Sequence, residues 1–523
     1  MEAKAGERVE DLAEVLAYHT GEALTLAEAT GDTTLQATVT PRAARYALLA
    51  GERALGLDTD KALGLLDSAR ALTPDTDPSF PLVLLRWADA DMQAGRQQRD
   101  AAAALAQAVG LFQAQGDLLH AGETLSLLST VHWYLGESDS LALVEQAVAL
   151  LEPSPGPGLV AAIAQVANNR MVSGAPREAV AAAERALTLS DQLGLSVPGR
   201  ALGIRGLNRC TLGDLDGLTD TEQALRLLVA DGKGRDAAVL MHNLAITRGY
   251  LEGPAAAVAA FEEACLFAQA RGLTEMAQVA SAISVGALVQ AGRFDEALTQ
   301  TDLLLPMLHA SSNRLAEAEL LVYHAVVLVE RGQDASEPAE QALQIARDTG
   351  EPIHLANAVW GRVPALLATG DTAAARTLLD EVANAPTHDD PEFYARALTA
   401  LARAAHTLDD PDLLARLAAD VPDTLPVQQH ALATVHAIQT EQAGDHAQAA
   451  VLHADAASRW EQFTAVLERA HALLAQGRCL TRTGDPAADQ PLRRARDLFE
   501  QMGARPRLQE CDTLISQASK LSS

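Results

Sequence analysis

The chain repeats itself with a period of about 39 residues. Leu57, Gly95, Gly136, Gly174, Gly213, Gly253, Gly292, Gly332, Gly370, Asp409, Gly444 and Gly484 mark the repeat, with gaps between 35 and 41 residues. An apolar stretch of helical period precedes most of these landmarks. A short polar turn and a second helical stretch follow them. Two helices cannot bury their apolar faces alone, but a stack of such pairs builds a core that lengthens with each unit. The pattern therefore predicts an all-α solenoid of about twelve helical hairpins.

Composition agrees with helices and excludes several functions. The 523 residues are 48% hydrophobic but only 3% aromatic, with alanine and leucine dominant. Both are strong helix formers, and alanine lets helices approach closely. With 69 acidic and 40 basic residues the net charge is −29, a field that repels phosphate backbones and anionic lipid. Nucleic acid and membrane are therefore not expected partners. The four cysteines, Cys210, Cys265, Cys479 and Cys511, form no CxxC pair and read as buried reduced thiols. The first residues carry charge rather than an apolar core, and no uncharged apolar run reaches about 18 residues, so the reading is a cytoplasmic protein.

In the unit around Gly292, helix A is expected over 276–291 and helix B over 295–308. Glycine at the landmark supplies the left-handed conformation that ends a helix. Ala297, five residues on, sits where helix B crosses helix A. Ala179, Ala375 and Ala449 hold the same offset from Gly174, Gly370 and Gly444. Leu141, Leu218 and Val258 break the rule, so wider or locally shifted crossings are expected there. A second stop is expected after helix B at Gly116, Gly194, Gly272 and Gly350. The G-x-x-x-x-A spacing resembles that of tetratricopeptide repeats. The fold class is then a right-handed α-solenoid of about twelve tetratricopeptide-like hairpins. Residues 1–40 are read as an N-terminal linker helix region, 41–518 as the solenoid and 519–523 as a tail.

A further resemblance rests on three stretches. Residues 2–19, EAKAGERVEDLAEVLAYH, resemble the junction between an AAA/STAND-type ATPase core and helical repeats in large bacterial signalling proteins. These are the class III adenylyl/guanylate cyclases of actinobacteria and the large LuxR-type regulators. Residues 42–55 with 61–66 are similar to the first repeat of that group, and 495–506 to its last. The resemblance implies a regulatory arm that serves an ATPase, a cyclase or a transcription factor. No GxxxxGK[ST] P-loop is present, no cyclase aspartate pair is visible, and the fewer than nine residues after Ile515 are expected to leave no room for a helix-turn-helix. The expected product is the repeat arm without ATPase, cyclase or DNA-binding domains.

Catalytic signatures are lacking, so no enzyme and no cofactor are expected. His430, His436, His446 and His453 show no i, i+4 pair, so no metal site is read there. The oxygen-rich cluster His388, Asp389, Asp390 and Glu392 is better read as a cap, Asp390 preceding Pro391 at the first helical position. The candidate site is instead the inner face of the solenoid, where helix A residues face inward. Counting back from Gly136, Gly174 and Gly253 selects Thr130, Trp133 and Tyr134, then Gln165, Asn168 and Met171, then Asn243, Thr247 and Tyr250. Aromatics give large contact area at low entropic cost, and amides pair with a peptide backbone. The competing reading of Trp133 and Tyr250 is packing between repeats. Arg170 and Arg209 fall at equivalent positions one repeat apart, where acidic neighbours would meet them. The expected partners are a protein, a peptide or a small effector, and an ATPase or cyclase module.

The register is testable. Gly292→Val should destabilise its hairpin because a β-branched residue resists positive φ, and Ala297→Leu should overpack the crossing at roughly 1–3 kcal/mol. Unchanged melting curves for both variants would show the register to be wrong.

Overall fold

The computed structural model describes residues 10–96, 98–311, 313–349, 352–385 and 394–521. The stretch 2–9 of the resemblance, the Gly350 stop, the 388–392 cluster with its cap, and residues 522–523 of the tail lie outside them.

The described residues form 26 α-helices and no strand. A leading helix α1 (Ala13–Thr30) is followed by twelve hairpins. The first four are α2 (Thr33–Ala54) with α3 (Thr59–Leu72), α4 (Phe80–Gln93) with α5 (Gln98–Gln115), α6 (Leu118–Leu135) with α7 (Ser140–Leu151), and α8 (Pro157–Val172) with α9 (Pro176–Gln192). Next come α10 (Gly199–Thr211) with α11 (Gly217–Ala230), α12 (Gly234–Leu251) with α13 (Pro254–Gln269), α14 (Thr274–Gln290) with α15 (Phe294–Ser311), and α16 (Arg314–Glu330) with α17 (Ser336–Thr349). The last four are α18 (Pro352–Ala368) with α19 (Thr372–Ala383), α20 (Tyr394–Thr407) with α21 (Pro411–Ala418), α22 (Pro426–Gln442) with α23 (His446–Gln462), and α24 (Val466–Thr483) with α25 (Asp489–Met502). Helix α26 (Arg505–Leu521) closes the stack. The chain is an α-solenoid of helical hairpins.

The landmark glycines from Gly95 to Gly484 all have positive φ, between 67° and 102°, and so end the inner helices as expected. Asp409 takes the same role at φ 52°, a conformation that a short polar side chain tolerates. The first landmark needs correction. Gly56, at φ 75°, occupies the left-handed position, and Leu57 is an exposed residue beside it. Gly116, Gly194 and Gly272 provide the second stops, with φ of 74°, 65° and 66°.

Small residues set the helix crossings. Ala179, Ala297, Ala375 and Ala449 are all at most 1% exposed. Where the sequence offers Leu141, Leu218 and Val258, the crossing moves back one residue to Ser140, Gly217 and Ala257, all buried. The contact at Gly217 is backbone on backbone: a Cβ there would lie 2.2 Å from the Gly206 carbonyl oxygen.

The solenoid winds tightly. Helix α4 touches α14, α6 touches α16, α12 touches α22, α14 touches α24, and α16 touches α26. Each pair is five hairpins apart, so five hairpins complete one superhelical turn and successive turns are in contact. Turn glycines make the seam. A Cβ on Gly234 would lie 2.4 Å from the Gly56 carbonyl oxygen, and one on Gly253 would lie 1.9 Å from that of Phe463. Thr59 donates from its backbone N and its Oγ1 to the Arg271 carbonyl at 3.4 and 3.2 Å. The Ala255 N–H donates to Thr464 Oγ1 at 3.1 Å. This stacking limits the exposed surface to 21579 Å², about a fifth more than the roughly 18,000 Å² of a compact monomer of this mass.

The seam predicts a contrast between two glycines. Gly370 (φ +82°) has open space where a Cβ would go, so Gly370→Ala should cost only left-handed strain, about 1 kcal/mol. Gly253 combines φ 102°, ψ 176° with the Phe463 carbonyl, so Gly253→Ala should cost at least about 2 kcal/mol. Equal losses in denaturant titrations would remove the inter-turn contact from the account.

Candidate functional site

The inner helices of the first superhelical turn line a half-open chamber of about 610 Å³. Its walls come from α4, α6 and α8, from the starts of α10 and α12, and from the Gly56 seam. Smaller cavities of about 60, 90 and 30 Å³ continue from it. Thr130, Gln165, Arg200 and Arg235 border both the chamber and the first of these. Trp133, Tyr134, His242 and Asn243 border the first and the second, and Ile246 and Ile283 the second and the third. The cavities form one axial series.

Six of the eight expected groove residues meet in this series: Thr130, Trp133, Tyr134, Gln165, Asn168 and Asn243 line the 60 Å³ cavity. Met171 borders the 90 Å³ cavity. Thr247 and Tyr250 do not join them. Tyr250 borders the 30 Å³ cavity at the far end of the series, beside Arg396. The Tyr250 hydroxyl donates to Thr247 Oγ1 at 3.1 Å and shares a 2.9 Å hydrogen bond with Thr211 Oγ1, one repeat earlier. Thr247 in turn donates to the Asn243 carbonyl at 3.0 Å. Both are buried and pack between repeats. The expected open groove is closed for the same reason that the turns stack: Tyr134, 6% exposed, has its hydroxyl 3.9 Å from Met276 Sδ in the following turn.

The chamber and the cavities beyond it differ in character. The chamber is charged, with Arg86, Lys233, Arg200 and Arg235 facing Asp89, Glu123 and Asp236. Arg86 is fully engaged, donating to Glu52 at 3.0 Å and to Glu123. Burial pushes the carboxyls of Asp89 and Glu275 above the usual carboxylate range; Gln93 opposes this at Asp89 and Arg235 at Glu275. The middle of the series is neutral. Burial lowers the His242 and His354 imidazoles to about 4, so both are uncharged at neutral pH beside Trp133 and Asn243.

Sequence reasoning missed Arg200 and Arg235. Arg200 stands 13 residues before Gly213, about one helical turn beyond the offset that selected Asn243, so carrying that register one turn further and into this unit would have found it. Arg235, 18 residues before Gly253, lies beyond its reach. Arg170 and Arg209 do meet acidic partners. Arg170 bonds Glu145 at 2.9 Å, and Arg209 bonds Asp214 at 2.7 Å and Asp220 at 2.8 Å.

Of the four histidines considered for metal, His453 enters a buried group with Glu441 and Cys479, whose ligand atoms lie within 4.8 Å of one another. The group is already neutralised. Arg478 donates to Glu441 Oε1 and Oε2 at 2.8 and 3.1 Å, and His453 Nε2 lies 3.1 Å from Oε2. A guanidinium so placed repels a cation, and burial pushes the Cys479 thiol up to about 12. Burial likewise raises Cys210 to about 11 and Cys511 to about 12, so none of the three is a thiolate at neutral pH.

No family model matches the sequence, and no curated protein does. Among solved structures it is similar to a Signal Transduction ATPase with Numerous Domains (STAND) protein with a tetratricopeptide repeat sensor, from Pyrococcus horikoshii. The identity is 12%, the match covers 62% of this chain and 51% of that one, and the TM-score is 0.35. The chain thus spans about half the length of that protein.

Three carboxylates of the second half tie inner helices together. Against burial, which alone would raise them, Glu330 is held low by His471 and Arg507, Glu441 by His453 and Arg478, and Glu468 by Arg403. Arg403 Nη1 donates to Glu468 Oε2 at 2.6 Å, and His471 Nε2 lies 3.2 Å from Glu330 Oε1 across the inter-turn seam. A depressed carboxylate stabilises the fold above its ordinary value of 4.5 and ceases to do so as pH falls below it. Asp89 and Glu275 in the first turn act in the opposite sense. Acidification below about 4.5 should therefore loosen α16–α26 before α4–α14. Hydrogen exchange corrected for intrinsic rates would check this, and Glu441→Gln should flatten the dependence. Uniform loosening would contradict it.

Proposed function

We propose that the chain is a non-catalytic helical-repeat sensor that takes a small effector into its axial chamber. The observation that carries this reading is a deep concave chamber on the inner face of the first turn. A volume of about 610 Å³ lies within the range of small-molecule sites, and packed helices rather than mobile loops line it. The cavities beyond it, of 60 and 90 Å³, leave no room for a peptide to thread the axis. A protein partner therefore docks on the outer surface, and the effector reaches it through the stacking of the turns. The protonated thiols and the self-neutralised Glu441 group support a non-catalytic role. Among the described residues no helix is long and apolar enough to cross a membrane. A finer reading rests on the resemblance of residues 2–19: the chain is the sensor arm of a bacterial signalling ATPase, adenylyl/guanylate cyclase or LuxR-type regulator.

Ala161 is exposed and lines the chamber. Ala161→Trp should put a bulky ring into the chamber and obstruct it without changing its charge. The purified chain, incubated with a bacterial metabolite extract and desalted, should release a small molecule on heating that mass spectrometry identifies. Ala161→Trp should melt normally and release at least tenfold less. Undiminished capture by Ala161→Trp would move the site elsewhere, and turnover of the captured molecule would overturn the non-catalytic reading.

A further inference from the structure

The two ends of the charged chamber are not equivalent. Arg200 and Arg235 stand at the second residue of α10 and α12, and both border the chamber and the cavity beyond it. Their side chains are 29% and 15% exposed, and that residual surface faces the cavities they line.

Both guanidiniums have donors to spare. Arg235 donates to Met92 Sδ at 3.7 Å and stands 3.8 Å from Glu275 Oε2, while its buried Nε has no hydrogen-bond partner. A guanidinium has five N–H donors, and a thioether is a weak acceptor. Arg200 donates to Gln165 Oε1, and its ion pair with Asp236 is also loose, at 3.8 Å. Elsewhere in this chain arginine pairs closely: Arg403 with Glu468 at 2.6 Å, Arg314 with Asp348 at 2.6 Å.

The helix ends add to this. Inner helices α2, α6 and α16 are capped by Asp32, Asp117 and Asn313, whose side chains accept from the first turn. Helices α8, α10 and α12, whose first turns line the chamber, follow Gly156, Pro198 and Lys233 with no side-chain cap, as α4, α14 and α24 also lack one. The first residues of α8, α10 and α12, among them Gly158, Arg200, Gly234 and Arg235, line the chamber. Three neighbouring helix N-termini thus bring uncapped donors and partial positive charge to the wall that holds the two under-used guanidiniums. The acceptors of this wall, Asp236 and Glu275, each stand 3.8 Å from the arginine they face, beyond hydrogen-bond length, and burial pushes the Glu275 carboxyl up.

Resting on the sensor reading above, we infer that the effector is a small organic oxyanion, a phosphate ester or a di- or tricarboxylate, whose anionic group lies between Arg200 and Arg235. The opposite wall, with Asp89 and Glu123, faces the polar remainder of the molecule. Arginine suits either source because its planar fork matches both carboxylate and phosphate. The chamber also offers a region of positive character inside a chain of net charge −29, so anions are selected only once they are inside.

Calorimetric titration of the full chain with pyrophosphate, citrate and spermidine tests this. Saturable 1:1 binding of pyrophosphate or citrate, weakened by added salt, is the expected result, and the tighter of the two names the source. Arg200→Gln should weaken it at least tenfold, as should Arg235→Gln. Should either variant fold poorly, Arg200→Lys with Arg235→Lys keeps the charge but loses the planar fork and should also weaken the binding at least tenfold. Spermidine binding in place of the anions, no anion binding at all, or anion binding unaffected by the arginine substitutions would overturn the inference. A neutral molecule captured from the extract and lost in Ala161→Trp would overturn it too, while leaving the sensor reading intact.

Discussion

The structure depends on how closely two backbones can approach at the hairpin turns. An inner helix ends at a left-handed glycine, and that turn abuts the start of an inner helix one superhelical turn further on. Gly56 against Gly234 and Gly253 against Phe463 are contacts in which a single methyl group would strike a carbonyl oxygen. The arrangement also sets a helix C-terminus against a helix N-terminus, so partial charges of opposite sign meet along the seam. A solenoid without these contacts would present an open groove; with them it surrounds its own axis.

Enclosure changes what the inner residues can do. On an open groove, Trp133, Asn168 and Asn243 would be anchors for a peptide. Within the closed axis, Trp133 packs edge-on against Tyr134 at 5.0 Å, and the space left is scaled to side chains. The 610 Å³ chamber takes in the N-terminal ends of α8, α10 and α12. The charged pairs of the second half are of another kind. Glu441, Glu468 and Glu330 are paired with arginine and histidine and serve the stacking of helices. Loosely paired Arg235 and tightly paired Arg478 show how the same residue type fills either role.

The hairpins were legible because each is encoded locally. The glycine stop, the alanine at the crossing and the apolar period recur within some 40 residues. Even the exceptions at Leu141, Leu218 and Val258 had a local answer, since Ser140, Gly217 and Ala257 stand one residue earlier. Leu57 keeps the five-residue spacing to Ala62, but Gly56, one residue earlier, takes the left-handed turn. The inward-facing positions of α6 and α8 also followed from local register. What no local pattern contains is the superhelical pitch. That pitch brings Met276 onto Tyr134 and Gly234 onto Gly56, more than 140 residues apart in each case. The chamber and its arginines belong to that long-range closure, which is why the sequence pointed to an open groove.

The central claim is that successive turns are in contact in solution. Spin labels at Glu252 and Gln462, exposed residues beside Gly253 and Phe463, would report the separation across the seam directly. Pulsed electron resonance should give one narrow distribution at the shortest distances the method resolves, unchanged by dilution. A broad distribution centred a full superhelical pitch further out would show the turns to be apart, and the chamber with them.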